Sequence, residues 1–291
     1  MVIIHIKKGD ESQFLIETSL KTPIEDLVKT VVAIYNGRLK VSRICSEIEE
    51  LAKYGTLFPP EILGLTEEQV EELKLVDTWG DQCIPSGGFT FEKDPVGRRN
   101  GKQPKKAMQD VLNKAVSDAK EMVSKKLVNE GKLLTIKIIH EAINLLRGAV
   151  TIVYPMKLPP HDVIRMEFEN IEDLSGTQAS LEIIDPLTAQ MWFCGKEVYR
   201  EGKKVGDFAG KVENCKIIMK LSKRGEGAPA REPIMSENDR KQMMLHAYRK
   251  QEELKKLEAD DDDNYMDSEW ANKGNLKRHF HGLNNISWGP K

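Results

Sequence analysis

The stretch Gln190–Val198 reads QMWFCGKEV, and its aromatic, β-type residues indicate a short strand that turns at Gly195-Lys196. A second strand is predicted over Cys215–Leu221, where four apolar residues alternate with two lysines and an isoleucine. An alternating strand of this kind has one face against a core and the other toward solvent. The carboxyl-terminal third of the chain therefore contains part of a β-sheet.

Side chains alternate between the two faces of a strand, and this predicts where Trp192 points. If Met191 and Phe193 face the core, Trp192 faces outward. Ile218 lies on the outward side of the later strand and is expected beside Trp192. We predict Trp192 and Ile218 as partner-binding residues, because Trp is enriched among interface hot spots. The alternative is that Trp192 packs beneath the helix of its own domain or beneath the tail.

Two more strands are predicted upstream, over Ala149–Tyr154 and Val163–Phe168, with a helix or turn around Asp173–Ile184. A hairpin, a helix and then three short strands is the order of a ubiquitin-like β-grasp. Residues 148–223 are therefore predicted to form such a domain. An unrelated α+β domain is the alternative.

The amino-terminal residues 1–106 are predicted to form a β-hairpin, helices and an irregular linker that is rich in Pro and Gly. Thr22–Glu25 has the capping residues of a helix start, and Asn36-Gly37 is expected to end that helix. A second helix is predicted over Leu39–Tyr54, and a helical pair over residues 107–147. The predicted fold class is α+β.

Residues 224–291 are predicted to form a linker, a charged helix and an extended docking tail. The helix is expected from about Ser236 to Leu257, and the acidic run Asp260–Asp263 ends it in a block that resists packing. Bulky aromatic residues on a polar tail suit docking into grooves of another protein. Three of them are predicted partner-binding residues, namely Trp270, Phe280 and Trp288. The alternative is that they fold back onto their own domain.

Composition argues against two classes of partner. Lys+Arg total 44 and Asp+Glu total 46, so the net charge of -2 lacks the basic excess of a nucleic-acid binder. The longest nearly apolar run, Gly148–Met156, is too short to span a bilayer. We expect no membrane insertion and a cytoplasmic location.

The residues that could perform chemistry lack the spacing that chemistry needs. The four cysteines are far apart in sequence, which predicts free thiols and no metal site. The segment Gly206–Lys211 is one residue too short for a phosphate-binding loop. His279 and His281 are more typical of a polar turn than of a zinc site. We predict no catalytic residues, no cofactor and no enzyme activity.

Several sequence blocks together resemble one family, the Kurly family of cilia- and flagella-associated proteins, over the full length of the chain. Arg165–Asn170 and Lys277–Gly282 are the most specific of these blocks. The others are Val2–Phe14, Tyr35–Val41, Pro85–Gly88, Gly97–Gly101, Leu146–Val150, Ile152–Met156, Ile164–Ala179 and Gly225–Pro233.

The resemblance implies a role in motile cilia: cytoplasmic assembly of axonemal dynein arms, cilium movement and planar polarity. It also implies a location in the cytoplasm, at the ciliary base and in the cilium. The predicted partners are other proteins, either dynein assembly factors or axonemal and basal-body proteins. The main hypothesis is a non-enzymatic adaptor or assembly factor. The alternative is a permanent structural component of the axoneme.

Overall fold

The amino terminus forms an antiparallel β-hairpin from strands β1 (Val2–Lys8) and β2 (Glu11–Thr18), as predicted. Gly9 in the connecting turn has φ +60°, a left-handed conformation that glycine adopts without a side-chain clash. The structure is a computed structural model, and it describes residues 1–198, 202–210, 214–231, 235 and 237–260.

Helix α1 is a single element of 31 residues, Ile24–Tyr54, so the prediction of two helices separated at Asn36-Gly37 is wrong. The Asn36 side chain binds the backbone of Ile184, donating to its carbonyl at 2.7 Å and accepting from its N–H at 3.1 Å. Gly37 lies against Ile139, and an added Cβ would be 2.9 Å from its Cγ2 atom. These two residues therefore serve tertiary contacts, and the helix continues through them.

The remaining elements connect the hairpin to the carboxyl-terminal strands. In chain order they are α2 (Glu67–Glu72), α3 (Thr78–Gln82), β3 (Phe89–Phe91), β4 (Lys102–Pro104), α4 (Lys106–Met122), a 3-10 turn (Lys125–Val128), α5 (Ile136–Val153), α6 (Val163–Glu169), α7 (Gln178–Glu182), β5 (Ala189–Phe193), β6 (Lys196–Glu197), α8 (Val205–Ala209), β7 (Lys216–Lys223) and α9 (Glu237–Asp260). Strands β3 and β4 form a small antiparallel hairpin inside the predicted irregular linker.

Strands from the two ends of residues 1–231 share one sheet in the order β2-β1-β7-β5-β6. Strand β7 runs parallel to β1, with Ile217 opposite Ile4, and antiparallel to β5, with Leu221 opposite Met191. The last strand therefore lies in the middle of the sheet and closes it against the first.

The predicted strands over Ala149–Tyr154 and Val163–Phe168 are wrong, because both segments are helical. The buried residues of α5 follow a helical period through its last turn, which overrides the strand preference of its β-branched residues. Asp162 starts α6, since its side chain accepts the Ile164 N–H at 3.0 Å. The sheet is therefore not contained within residues 148–223.

The core lies between one face of the sheet and the helices α1, α4 and α5. Thirteen residues of α1 are buried, from Ile24 to Ala52. Residues 1–231 form one compact unit, and helix α9 belongs to a separate one. Trp270, Phe280 and Trp288 lie outside the residues that the structure describes.

Candidate partner-binding surface

Trp192 lies on the face of the sheet that points away from α1. Met191 is only 1% exposed and belongs to the core, and Phe193 packs against that core, so the premise of the sequence argument is confirmed. Trp192 itself is half-buried. Its indole Nε1 donates a hydrogen bond to Ser222 Oγ at 2.9 Å, which holds the ring against β7.

Ile218 lies on the same outward face and is 40% exposed. The residue opposite Trp192 in the ladder is Lys220, which is two positions beyond Ile218 on β7. Trp192 and Ile218 are therefore diagonal neighbours, and such pairs have Cα atoms about 7–8 Å apart. The structure brings these two predicted site residues together.

Lys220 contacts two other segments of the chain at this face, one at Asp10 and one at Ala230. Its side chain is buried, and its Nζ atom lies 3.2 Å from Asp10 Oδ1 and 2.7 Å from the Ala230 carbonyl oxygen. His5 and Leu15, which share the face by strand alternation, are buried as well. Ile218 is thus an exposed apolar side chain on a face whose other positions are largely covered.

A second exposed apolar surface lies on helix α9. Every side chain of this helix from Glu237 to Leu257 is exposed. The exposed set contains six large apolar side chains, Met243, Met244, Leu245, Tyr248, Leu254 and Leu257. Exposed large apolar side chains on a helix are available for contact with another protein.

Asp162 and Arg99 are buried ionisable residues whose hydrogen bonds stabilise the fold. Asp162 accepts the backbone N–H groups of Ile164 at 3.0 Å and Leu57 at 3.4 Å, and burial raises its pKa. Arg99 donates to the Gly55 carbonyl oxygen at 2.9 Å and to Glu47 Oε2 at 2.6 Å. Their contacts to backbone groups fasten the loops after α1 to the core.

All four cysteines are free thiols. Cys45 and Cys83 are buried free thiols, and burial raises the pKa of Cys45 to about 11. Cys194 and Cys215 are free as well. Among the described residues, His, Cys, Asp and Glu form no group that could hold a metal ion. Across the same ranges, no helix has the length and hydropathy of a transmembrane span.

Sequence analysis missed a cavity beside α5 and α6, whose lining includes Arg147, Arg165 and Phe168. The segment after Arg147 was predicted to be a strand, and this error separated residues that the helix brings together. Helical spacing from Arg147 to Thr151 and Tyr154 was the signal that could have grouped them.

The described residues define a mixed α+β protein with two candidate partner-binding regions, the outward face of the sheet and helix α9. In sequence it is similar to proteins named cilia- and flagella-associated protein 298. The identity is 57% to the protein of Drosophila melanogaster, over 98% of each chain. It is 56% to the Danio rerio protein and 55% to the Homo sapiens protein, over 100% of each chain.

The family model for cilia- and flagella-associated protein 298 matches residues 189–286. This chain belongs to that family, which confirms the resemblance seen in its sequence. The match begins at the first residue of β5 and includes Trp192 and Ile218. No solved structure matches the chain significantly.

Proposed function

We propose that this protein is a non-enzymatic adaptor for motile cilia, which supports cytoplasmic assembly of axonemal dynein arms and, through them, cilium movement and polarity. The names of its relatives support an association with cilia and flagella. Helix α9 is one binding element of this proposal, since its side chains are exposed from Glu237 to Leu257 and include six large apolar ones. Such a helix suits docking into the groove of a partner protein.

The observation that carries the adaptor role is the outward face of the sheet. Trp192 is an aromatic anchor held in place by Ser222, and Ile218 beside it is exposed. A fixed aromatic side chain loses little conformational entropy on binding, which favours affinity. The partners are dynein assembly factors or axonemal and basal-body proteins, and Trp270, Phe280 and Trp288 of the tail add contacts.

The fold assignment in this proposal is a ubiquitin-like β-grasp. The supporting features are a hairpin followed by α1 and a last strand that lies parallel to the first in the middle of the sheet. Residues 55–188, between α1 and β5, are an insertion in this assignment. The protein works in the cytoplasm and at the ciliary base, and it reaches the cilium.

Fractionation of multiciliated cells tests the adaptor role against the alternative of a permanent axonemal component. Cells that express the tagged full-length chain are separated into cytoplasm and axonemes, and the axonemes are extracted with high salt. An adaptor for assembly is expected mainly in the cytoplasm, crosslinked to assembly factors. Retention of most of the protein on salt-extracted microtubules would show that it is a structural component of the axoneme.

A matched pair of variants tests whether the outward face of the sheet contacts the partner in the crosslinked complexes. Ile218→Glu places a charge on the outward face between Lys216 and Lys220, whereas Val76→Glu places one at an exposed apolar residue far along the sequence. The proposal expects Ile218→Glu alone to lose crosslinks to its partner. Equal crosslinking by both variants would show that the outward face of the sheet does not bind the partner.

A further inference from the structure

A cavity of about 340 Å³ lies between the carboxyl-terminal half of α5, the loop that follows it and α6. Its walls combine apolar and cationic side chains. The apolar part comes from Val150, Tyr154, Leu158 and Phe168, and the cationic part from Arg147, Lys157 and Arg165. Its volume is near the lower end of the range of about 300–1,000 Å³ for ligand sites, so it suits a few side chains of a peptide.

Two arginines of the cavity are held in fixed orientations. Arg147 donates to the Phe168 carbonyl oxygen at 2.8 Å, and its guanidinium carbon lies 5.3 Å from the centre of the Phe168 ring. Arg165 donates to the Leu158 carbonyl oxygen at 3.0 Å and to Glu169 Oε1 at 3.0 Å. Each guanidinium has five N–H donors, so both retain donors for a further acceptor.

The charge of the cavity favours an anionic ligand. Three cationic side chains line it together with one carboxylate, Glu169, which leaves an excess of two positive charges. Arginine binds a carboxylate through two parallel hydrogen bonds, a geometry that lysine cannot match.

Two exposed apolar residues adjoin the lining residues in sequence. Ile152, which follows Thr151, is 60% exposed, and Met156, which precedes Lys157, is 71% exposed. The lining itself combines apolar and cationic side chains, which suits a ligand that carries an apolar side chain next to its charge.

We propose that this cavity binds a peptide segment of a partner protein in which an Asp or Glu adjoins a large apolar residue. The carboxylate binds Arg147, with Lys157 and Arg165 adding positive charge, and the apolar side chain lies against Val150 and Phe168. None of the cavity's lining residues belongs to the outward face of the sheet or to α9, so the cavity adds a further binding specificity to the proposed adaptor.

The test is an NMR titration of the 15N-labelled full-length chain with the peptide acetyl-Gly-Glu-Phe-Glu-Leu-Gly-amide. Two further peptides serve as comparisons. One has Gln in place of both Glu and tests the need for the carboxylate charge, and one has phosphoserine in place of the first Glu and tests a phosphate against a carboxylate. The expected result is saturable shifts of the amide signals from Arg147 to Thr151 and at Phe168, with weaker binding of the Gln peptide. Loss of one charge-assisted contact corresponds to about a tenfold change in affinity.

Arg147→Gln and the matched control Lys137→Gln, an exposed cation on the same helix, complete the design. Arg147→Gln is expected to weaken binding of the Glu peptide about tenfold, and Lys137→Gln to leave it unchanged. A thermal melt of each variant shows that the fold is retained. No shifts at the cavity, equal affinity for the Glu and Gln peptides, or tighter binding of the phosphoserine peptide would each overturn the proposal.

Discussion

The indole Nε1 of Trp192 donates a hydrogen bond to Ser222 Oγ, 2.9 Å away on the neighbouring strand β7. Ser222 is buried, whereas Trp192 is half-buried on the face opposite the core. The bond fixes the ring in one orientation beside the exposed Ile218. Trp192 therefore combines two properties of an interface anchor, an amphipathic ring and a fixed conformation.

Replacement of Trp192 by Phe should remove this bond and retain most of the ring. We expect the free energy of unfolding to fall by about 1 kcal/mol, because the Ser222 hydroxyl would remain buried without its donor. Urea denaturation measures this change. Adding Ser222→Ala to the Phe variant should cost less than it does in the native chain, and strictly additive effects would show that the bond does not stabilise the fold.

A fragment comparison tests how the sheet is built. Strand β7 pairs with β1 on one side and with β5 on the other, and core residues of both regions pack on α1. Residues 1–231 should therefore unfold in one cooperative thermal transition, whereas residues 148–223 alone should remain unfolded. Circular dichroism measures both, and a cooperative transition of the short fragment would show that it is a domain by itself.

Glu167 links α6 to α1 through a buried ion pair. Its side chain is 1% exposed, and its two oxygens accept from Arg43 at 2.7 Å and 3.2 Å. Glu167→Gln should lower the free energy of unfolding by about 3 kcal/mol, since it leaves the Arg43 charge without its main partner. The control is Glu169→Gln, whose exposed pair with Arg165 should contribute less than about 1 kcal/mol. Equal effects of the two substitutions in urea denaturation would contradict this account.

Asp162 should make stability depend on pH. Burial raises its pKa in the folded protein, so the folded state binds the proton more tightly than the unfolded state does. The resulting stabilisation is complete below the unfolded pKa of about 3.9 and is lost as the pH rises through the higher folded pKa. The free energy of unfolding of the native chain, minus that of Asp162→Asn, should therefore decrease from about pH 4 upward. A difference that is constant or rises with pH would contradict the assignment.

The amino-terminal hairpin and the last strand were predictable because their patterns are local. Apolar residues in β1 and β7 follow the period of a strand, and Gly9 marks the turn. The positions of Met191 and Trp192 followed from the same alternation. Predicting these elements required no knowledge of contacts between residues distant in sequence.

Other features depended on contacts that no local pattern reveals. Asn36-Gly37 has the residues of a helix end, yet Asn36 binds the backbone of Ile184, which is 148 residues away. The β-branched residues near Val153 favour a strand, but α5 buries one side of the helix through that residue. The cavity beside Arg147 could not be predicted once that segment was assigned to a strand.

Replacement of the endogenous chain in multiciliated cells by Ile218→Glu tests the adaptor account most directly. The matched control is Val76→Glu, another exposed apolar residue, and dynein arms are counted in cross-sections of axonemes by electron microscopy. The account predicts that cells with Ile218→Glu lose dynein arms although the protein is present at its normal level, whereas cells with Val76→Glu keep them. A full set of dynein arms and normal ciliary beating in the Ile218→Glu cells would contradict it.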